Sequence, residues 1–476
     1  MIAGIYAIPI LIERLGVERF GLLSLIWLLV GYFSIFDLGL SRALTKILAE
    51  YSGKFRDAEM PALFWTAMWL MLGLGLIAGM LLWWLAPSLV STLNVSPKYF
   101  EETLLAFRYA AFGFPIIMLM AGLRGALEAF HEFKTLNLIR IPIGVLNFLI
   151  PIPVLMVHDN LSAVVLVTVG TRCACITLYY LSLRRRNKGL LTFTKLQKTE
   201  AKSLFAFGGW MTVSNVVGPL MTYIDGFIIS AVISASAVAL YTVPYDLATK
   251  LWIIPGALVA ALFPLLAQKI FLELEVAKDI FFDVAYLLLI VVFPLVVAFI
   301  ALSEIGLEVW LGEEISMQSA PILKILLLGV FINSFALLPF TLLQSAGYPK
   351  VTAIIHVAEF PIYILAMLFL LGEFGILGGA IAWLGRILVD FMLLVFVCAR
   401  YFPSFIQQWL EIGKWLAIAF VVCLAFALTD GSSLKLYTLV VTVFFSAALS
   451  LIWLRSRIKI DSSLALHWVR PRSSKE

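Results

Sequence analysis

Charged side chains inside long apolar runs are the residues of this sequence whose types and positions suit binding and transport chemistry. Among them, we single out four basic residues (Arg108, Arg172, Lys250 and Arg386) and four acidic residues (Asp225, Asp246, Glu359 and Asp390) as candidates. An ionised group in hydrocarbon costs about 2.5 kcal/mol or more, so such residues normally face a cavity or a partner. Guanidinium groups hold phosphate oxygens through paired donors, and carboxylates can exchange a proton or a cation. We therefore predict that the basic residues line the path of an anionic cargo and that the acidic residues couple an ion to its movement.

The spacing of these residues leaves structural alternatives open. Arg386 and Asp390 stand one helical turn apart and can pair with each other, which would lock helices together instead of binding cargo. Asp246 and Lys250 have the same spacing with the acid first, so they form either a structural pair or part of a site. Arg108, near the start of its run, either lines a cavity or extends its charge to the membrane interface.

A histidine adds a further titratable group to the last acidic pair. His356 and Glu359 lie three residues apart, which places them on one face of a helix. Pro361 follows them and removes a backbone hydrogen bond, so the helix can kink there. This arrangement is compatible with a proton relay.

A carboxylate also stands where an apolar run turns basic, in the stretch "IFDLGLSRALTK". Asp37 is followed by Gly39, Arg42 and Lys46. One interpretation is structural, with the carboxylate satisfied by Arg42 or by backbone donors near Gly39. The other is a gate latch, in which Asp37 releases the basic residues so that Arg42 and Lys46 can attract an anionic cargo.

The composition defines the elements that must position these residues. The chain has 476 residues, 62% of them hydrophobic, and a mean hydropathy of +1.04, whereas soluble proteins are about half apolar. A membrane-spanning helix needs roughly 20 mostly apolar residues. We therefore predict an all-α integral membrane protein with about 14 transmembrane helices. The predicted runs are a half run at 1–12 and full runs at 21–40, 62–84, 103–123, 139–157, 163–183, 204–232, 237–267, 282–302, 320–345, 353–371, 376–399, 412–428 and 436–454.

The distribution of basic residues predicts the orientation. If the chain begins on the cytoplasmic side, the opposite connecting segments hold only Arg14, Arg19, Lys98 and Lys435 of the 34 basic residues. Basic residues concentrate in cytoplasmic loops, so both termini are predicted to be cytoplasmic. The run "RRRNK" at Arg184 fits this orientation signal, and we expect no binding to nucleic acid.

An internal repeat indicates two lobes. A shift of 218 residues aligns "LGVERFGLLS" (Leu15–Ser24) with "ISASAVALYT" (Ile233–Thr242), and a shift of 216 aligns "LEAFHEFK" with "LQSAGYPK". With six spans between equivalents, the lobes keep the same orientation, as in parallel-repeat transporters. The predicted division is a six-helix lobe at 1–183, a basic cytoplasmic linker at 184–203, a second six-helix lobe at 204–400, and two extra helices with a basic tail at 401–476. The alignment also suggests that the first helix is truncated at its start, and it makes the runs of Arg172 and Arg386 equivalent.

Several stretches resemble one transporter family. The stretch Ile8–Lys46 contains "LGVERFG" and "FDLGLSRAL", and it resembles the opening of Wzx-type polysaccharide flippases, a branch of the superfamily that includes MATE exporters and the lipid II flippase. The resemblance continues through Gly209–Ser230, Tyr241–Ala267 and Leu342–Ala353. It implies alternating-access movement of a polyprenyl-pyrophosphate-linked oligosaccharide across the bacterial inner membrane, for surface polysaccharide or O-antigen biosynthesis. Gly226 follows Asp225 where we expect the family to carry a basic residue, which argues against a local ion pair there.

Two alternative functions have to be weighed against this one. An exporter of organic cations, like the drug-exporting MATE branch, is compatible with the balanced charges inside the runs, so the motifs favour the flippase. A membrane glycan polymerase or ligase would need accessible catalytic groups, and no large predicted periplasmic loop supplies them. No phosphate-binding loop or metal-binding histidine pair occurs, so no catalytic residue, metal or cofactor is expected. The implied partners are the lipid-linked glycan, the bilayer, a proton or sodium ion as coupling ion, and other polysaccharide-assembly membrane proteins.

Overall fold

The structure is a computed structural model that describes residues 2–32, 37, 39–54, 56, 58–205 and 224–428. Within these ranges the regular secondary structure is helical, without a strand. Helices α1 to α7 are Ile2–Tyr32, Leu40–Gly53, Met60–Thr92, Phe100–Ala129, Phe133–Leu149, Pro151–Val157 and Leu161–Arg186. Helices α8 to α14 are Ala235–Thr249, Ile253–Lys269, Leu274–Leu311, Glu313–Ser345, Pro349–Phe374, Ile376–Tyr401 and Ile406–Leu428. Helical segments also occupy 198–205 and 224–232.

The described residues contain ten helical stretches that are long and apolar enough to cross a bilayer. Each of them coincides with one of the predicted apolar runs, from the stretch Met60–Thr92 to the stretch Pro403–Leu428. The prediction of a helical, multi-pass membrane protein is therefore confirmed. The predicted run 436–454 and most of the run 204–232 lie outside the described residues.

The first two predicted runs both lie within the stretch labelled α1. This stretch consists of two helices joined by a kink at Gly16, which has φ 78° and ψ 162°. Glycine adopts a positive φ without a steric penalty, so a single residue separates the two helices where we predicted a longer connection. The predicted end of the second run at residue 40 is wrong, because α1 ends at Tyr32 and a separate helix, α2, begins at Leu40.

Helix α2 was not predicted, although its sequence has the pattern of an amphipathic helix. Its buried residues are Leu40, Ala43, Leu44, Leu48 and Tyr51. These positions recur every three or four residues and therefore form one face, while Arg42 and Lys46 are exposed. The buried face packs against α3 and α4. The last residue of the predicted run, Leu40, therefore belongs to an amphipathic helix.

The chain divides into two compact units. The first comprises Met1–Val243 and Phe360–Gly379, and the second comprises Pro244–Glu359 and Ala380–Glu476. In the first unit, α3, α4 and α7 pack side by side, and Gly75 of α3 lies against the backbone of Pro115 in α4. In the second unit, α10 packs along α11, and the fully buried Trp383 ring lies against Gly329. The division by sequence repeat into residues 1–183, 184–203, 204–400 and 401–476 remains a prediction.

Candidate functional site

The second unit holds a cluster of ionisable residues on α12 and α13. His356 Nε2 lies 3.3 Å from Asp390 Oδ1, and the His356 ring stacks on Phe340 with 5.7 Å between ring centroids. Glu359 and Asp390 are each only 5% exposed. Glu359 is close enough to Asp390, His356 and Arg386 to interact electrostatically with all three. The sequence had suggested two separate pairs, His356 with Glu359 and Arg386 with Asp390. The structure brings the two pairs together, with His356 next to Asp390.

Glu359 is the unusual member of this cluster. Among the described residues, neither of its carboxylate oxygens has a hydrogen-bond partner. A buried charge without partners is costly, so such a group is stabilised by taking up a proton or a cation. Two buried carboxylates beside one histidine and one arginine can thus change their net charge by one unit without large rearrangement. This is the property that an ion-coupling site requires.

Asp225 has a different environment, in the first unit. It is 2% exposed, and its two carboxylate oxygens accept hydrogen bonds from tyrosine hydroxyls. Tyr241 donates at 3.1 Å and Tyr363 donates at 2.6 Å. The sequence analysis named Asp225 but missed both tyrosines. A signal was available, since a tyrosine buried in an apolar run usually finds a partner for its hydroxyl.

Asp246 and Lys250 lie at a break in a predicted span. The predicted run 237–267 consists of two helices, α8 and α9, joined by a 3₁₀ turn at Lys250–Trp252. Both side chains are exposed, and they interact electrostatically one turn apart. Asp246 therefore lies in the last turn of α8, and Lys250 is the first residue of the 3₁₀ turn.

The two arginines of the first unit have different surroundings. Arg172, on α7, is half-buried, and its Nε has no hydrogen-bond partner among the described residues. Arg108, on α4, places its guanidinium 5.2 Å from the centroid of the Trp83 ring. This cation–π contact stabilises Arg108 without a carboxylate. The Nε of Arg108 likewise has no hydrogen-bond partner among the described residues, so the two arginines differ in the cation–π contact.

Asp37 lies at the start of α2. Its carboxylate accepts the backbone N–H of Gly39 at 2.8 Å and the backbone N–H of Ser41 at 3.1 Å. Backbone N–H groups in the first turn of a helix lack intrahelical partners, so the carboxylate satisfies donors that would otherwise be unpaired. The structural interpretation of Asp37 included such hydrogen bonds from backbone donors near Gly39. Lys46 lies 3.7 Å from Glu50 on the exposed side of α2.

The motif "LGVERFG" builds an ionic cluster that the sequence analysis did not identify. Arg19 is 8% exposed, and its guanidinium lies 2.9 Å from Asp159 Oδ1 and 3.7 Å from Glu102 Oε1. The neighbouring Glu18 carboxylate accepts the backbone N–H of Ser96 at 2.6 Å and its hydroxyl at 2.7 Å. The motif thus fastens α1 to the connections that precede α4 and α7. The rarity of basic residues on this side of the predicted topology was the available signal.

A second buried pair was also missed, in the second unit. Lys324 on α11 is 5% exposed, and its Nζ lies 2.5 Å from Glu304 Oε1 on α10. The two residues lie on different helices, and spacing along the sequence does not reveal pairs of this kind.

Within the first unit, α1 and α8 approach so closely that their backbones touch. A side-chain carbon on Gly21 would overlap the carbonyl oxygen of Ala235 and lie 3.3 Å from the backbone nitrogen of Ala239. Nearby, the Ser230 hydroxyl donates to the Leu93 carbonyl at 2.7 Å, and the Asn94 amide donates to the Ala231 carbonyl at 2.6 Å. The two stretches that the repeat aligns, Leu15–Ser24 and Ile233–Thr242, are therefore in contact.

Comparison with known proteins places the chain among proteins of polysaccharide assembly. Residues 1–269 match the model of the family described as "Polysaccharide biosynthesis protein". A Shigella flexneri protein named "Putative O-antigen transporter" is 32% identical over 409 residues, covering 83% of this chain and 95% of that protein. The chain belongs to the polysaccharide biosynthesis protein family. Another relative, the teichuronic acid biosynthesis protein TuaB of Bacillus subtilis, is 27% identical over 228 residues, or 48% of this chain and 46% of that protein.

Solved structures show the fold of this family member. An inward-facing multidrug resistance MATE transporter has a TM-score of 0.73 at 14% identity, covering 85% of this chain and 96% of that chain. The lipid II flippase MurJ, in an inward closed conformation, has a TM-score of 0.68 at 17% identity, covering 96% of this chain and 97% of that chain. The chain therefore has the helical fold shared by MATE transporters and MurJ, as its sequence predicted.

Proposed function

We propose that this protein is a flippase that moves a polyprenyl-pyrophosphate-linked oligosaccharide across the bacterial inner membrane for surface polysaccharide or O-antigen biosynthesis. The observation that carries the proposal is the 32% identity to the Shigella flexneri "Putative O-antigen transporter" along 83% of this chain. The fold of a lipid II flippase supports it. The fold is also that of multidrug exporters, at 14% identity. The relative of higher identity therefore favours the glycan carrier over organic cations.

The basic residues inside the membrane helices support the transport of an anionic cargo. Arg172 lies half-buried on a membrane helix, and its Nε has no hydrogen-bond partner among the described residues. A guanidinium group can donate hydrogen bonds to the oxygens of a pyrophosphate.

We further propose that Glu359, with His356, Arg386 and Asp390, is the ion-coupling site, and that the ion is a proton. Glu359 has no hydrogen-bond partner in the described part of the chain, whereas Asp225 already accepts two hydrogen bonds. Protonating Glu359 removes the cost of its buried charge, and deprotonation restores it. Sodium is the alternative ion, and it would need oxygen ligands from several residues.

The test is complementation of a bacterium that lacks its own O-antigen flippase and supplies the matching lipid-linked glycan. Expression of this protein should restore surface polysaccharide, and Arg172→Gln should leave lipid-linked glycan accumulated on the cytoplasmic side. The matched control is Arg14→Gln, which alters an exposed side chain of the same unit. The proposal would be contradicted if several types of lipid-linked glycan still accumulated on the cytoplasmic side while the unaltered protein was present in the membrane.

A further inference from the structure

The first unit contains an apolar groove between α3, α4 and α7. Its volume is about 240 Å³, and its lining includes Trp65, Met68 and Trp69 of α3, Leu119 of α4, and Ile176 and Tyr180 of α7. The α3 residues lie in the first three turns of a helix that begins at Met60, and the α7 residues lie in the last three turns before Arg186. The groove is therefore at the end of these helices that the basic residues predict to be cytoplasmic.

Phe193, from the segment 184–203, packs on two residues that line the groove. Its ring contacts Trp65 edge-on at 5.2 Å between centroids and Trp69 at 6.1 Å. The segment is fixed in place, because the Thr194 hydroxyl donates to the Pro61 carbonyl at 3.2 Å. The backbone N–H of Gln197 also donates to the Thr66 hydroxyl at 3.1 Å. Phe193 thus supports the two tryptophan rings on the α3 side of the groove.

A buried contact anchors the far end of the same segment. The Tyr51 hydroxyl of α2 donates to a Glu200 carboxylate oxygen at 3.1 Å, and both residues are less than 10% exposed. Burial and the adjacent Glu200 carboxylate together raise the pKa of Tyr51 above its usual value. The hydroxyl therefore remains a donor at neutral pH, and the segment stays attached to α2.

Positive charge borders the groove. Arg184 follows Tyr180 by four residues on α7, so both lie on the same face of the helix, one turn apart. Arg184, Arg185, Lys195 and Lys198 are all exposed. Arg186 differs from them, since its guanidinium lies 3.0 Å from Glu132. An apolar, aromatic-lined groove is thus directly followed by several exposed cations.

We propose that this groove binds the polyprenyl chain of the lipid carrier, while the exposed cations of the segment 184–203 bind its pyrophosphate. The proposal rests on the proposed function, which supplies this carrier as the substrate. The flat trisubstituted double bonds and methyl groups of a polyprenyl chain pack well on the rigid rings of Trp65, Trp69 and Phe193. A pyrophosphate carries more negative charge than the single phosphate of a membrane phospholipid, and four cations match it better.

The experiment measures binding to the purified full-length protein in detergent, with an unglycosylated polyprenyl pyrophosphate as the probe. Phe193→Ala should weaken binding about tenfold, because it removes the ring that packs on Trp65 and Trp69. The residue is 62% exposed, so the fold should tolerate its loss. Trp69→Ala should act in the same direction. The matched control is Trp84→Ala, on the same helix with its side chain 77% exposed outside the groove, which should bind like the unaltered protein.

Three comparisons can overturn the proposal. Equal binding by Phe193→Ala, Trp69→Ala and Trp84→Ala would exclude the groove. Displacement of the probe by phosphatidylglycerol at the same concentration would show a general lipid site. Equal affinity for inorganic pyrophosphate would show a headgroup site without the chain. By contrast, Arg184→Gln should weaken binding of the pyrophosphate probe but leave binding of the uncharged polyprenol unchanged.

Transport by the same variants separates this proposal from the proposed function. If the unaltered protein restores surface polysaccharide and Phe193→Ala does so equally well with equal binding, the groove assignment is wrong and the flippase function stands. If the unaltered protein neither binds the probe nor restores polysaccharide, the proposed function itself fails.

Discussion

At the scale of single residues, the partners of a buried charge determine whether it can take up a proton or a cation. Glu359, Asp225 and Arg172 were all identified from one physical rule, the cost of charge in hydrocarbon. Their surroundings differ, because Asp225 accepts two tyrosine hydroxyls while Glu359 has no such donors in the described chain. Partners on other helices depend on how the helices pack, and residue spacing along one helix carries no information about that.

Glu359→Gln separates the electrostatic cost of this carboxylate from its function. Removing the buried charge should raise the free energy of unfolding by about 1 kcal/mol, because a buried carboxylate without hydrogen-bond donors is costly. Transport should lose its response to an imposed proton gradient. The measurements are the thermal unfolding midpoint in detergent and transport at several external pH values.

The control for that variant is Glu373→Gln, on the same helix with an exposed side chain. It should change neither quantity. If transport by the Glu359→Gln variant still follows the proton gradient, or follows a sodium gradient instead, the result contradicts a proton site at Glu359.

At the scale of elements, hydropathy predicted where helices occur but not where they break. The breaks at Gly16, between Tyr32 and Leu40, and at Lys250–Trp252 all fall inside or beside apolar runs. Hydropathy reports composition, and these breaks depend on backbone conformation and on packing. The close approach of α1 and α8 was equally hidden, since a glycine in a helix has no distinctive pattern of its own.

Gly21→Leu should force α1 away from α8, because its side chain would overlap the Ala235 carbonyl. The expected cost is about 1–3 kcal/mol, as for other overpacked contacts, and transport should fall. Unfolding midpoints and surface polysaccharide provide the two measurements. Gly73→Leu, where no atom lies within 4 Å of the added carbon, is the matched control. Equal effects at both positions would mean that the contact has no special role.

At the scale of the whole molecule, the distribution of basic residues predicted an orientation and the motifs predicted the family. Neither prediction could be made from a single helix. Family membership was evident from stretches of sequence that the structure uses for packing, such as "LGVERFG" with its Arg19 ion pairs. Conserving a fold requires such contacts, so motifs that identify a family need not belong to its transport site. The packing of Phe193 onto α3 beside the groove, by contrast, depends on a segment folding back onto that helix, which the sequence did not indicate.

The predicted orientation can be checked by labelling cysteines in intact cells. In a background with Cys173, Cys175, Cys398 and Cys423 replaced by serine, Lys98→Cys should react with a membrane-impermeant maleimide, because Lys98 is predicted to face the periplasm and is exposed. Lys195→Cys, also exposed, should react only after the cells are permeabilised. Labelling of Lys195→Cys alone in intact cells would reverse the topology.

The hydrogen bond from Tyr363 to Asp225 also has a consequence for biosynthesis. Tyr363 belongs to a stretch, Phe360–Gly379, that packs with the first unit although it is synthesised long after most of that unit. A ribosome-bound chain that ends before this stretch holds Asp225 with one of its two hydroxyl donors missing. The first unit therefore reaches its final state only late in translation, and until then Asp225 lacks the hydrogen bond from Tyr363.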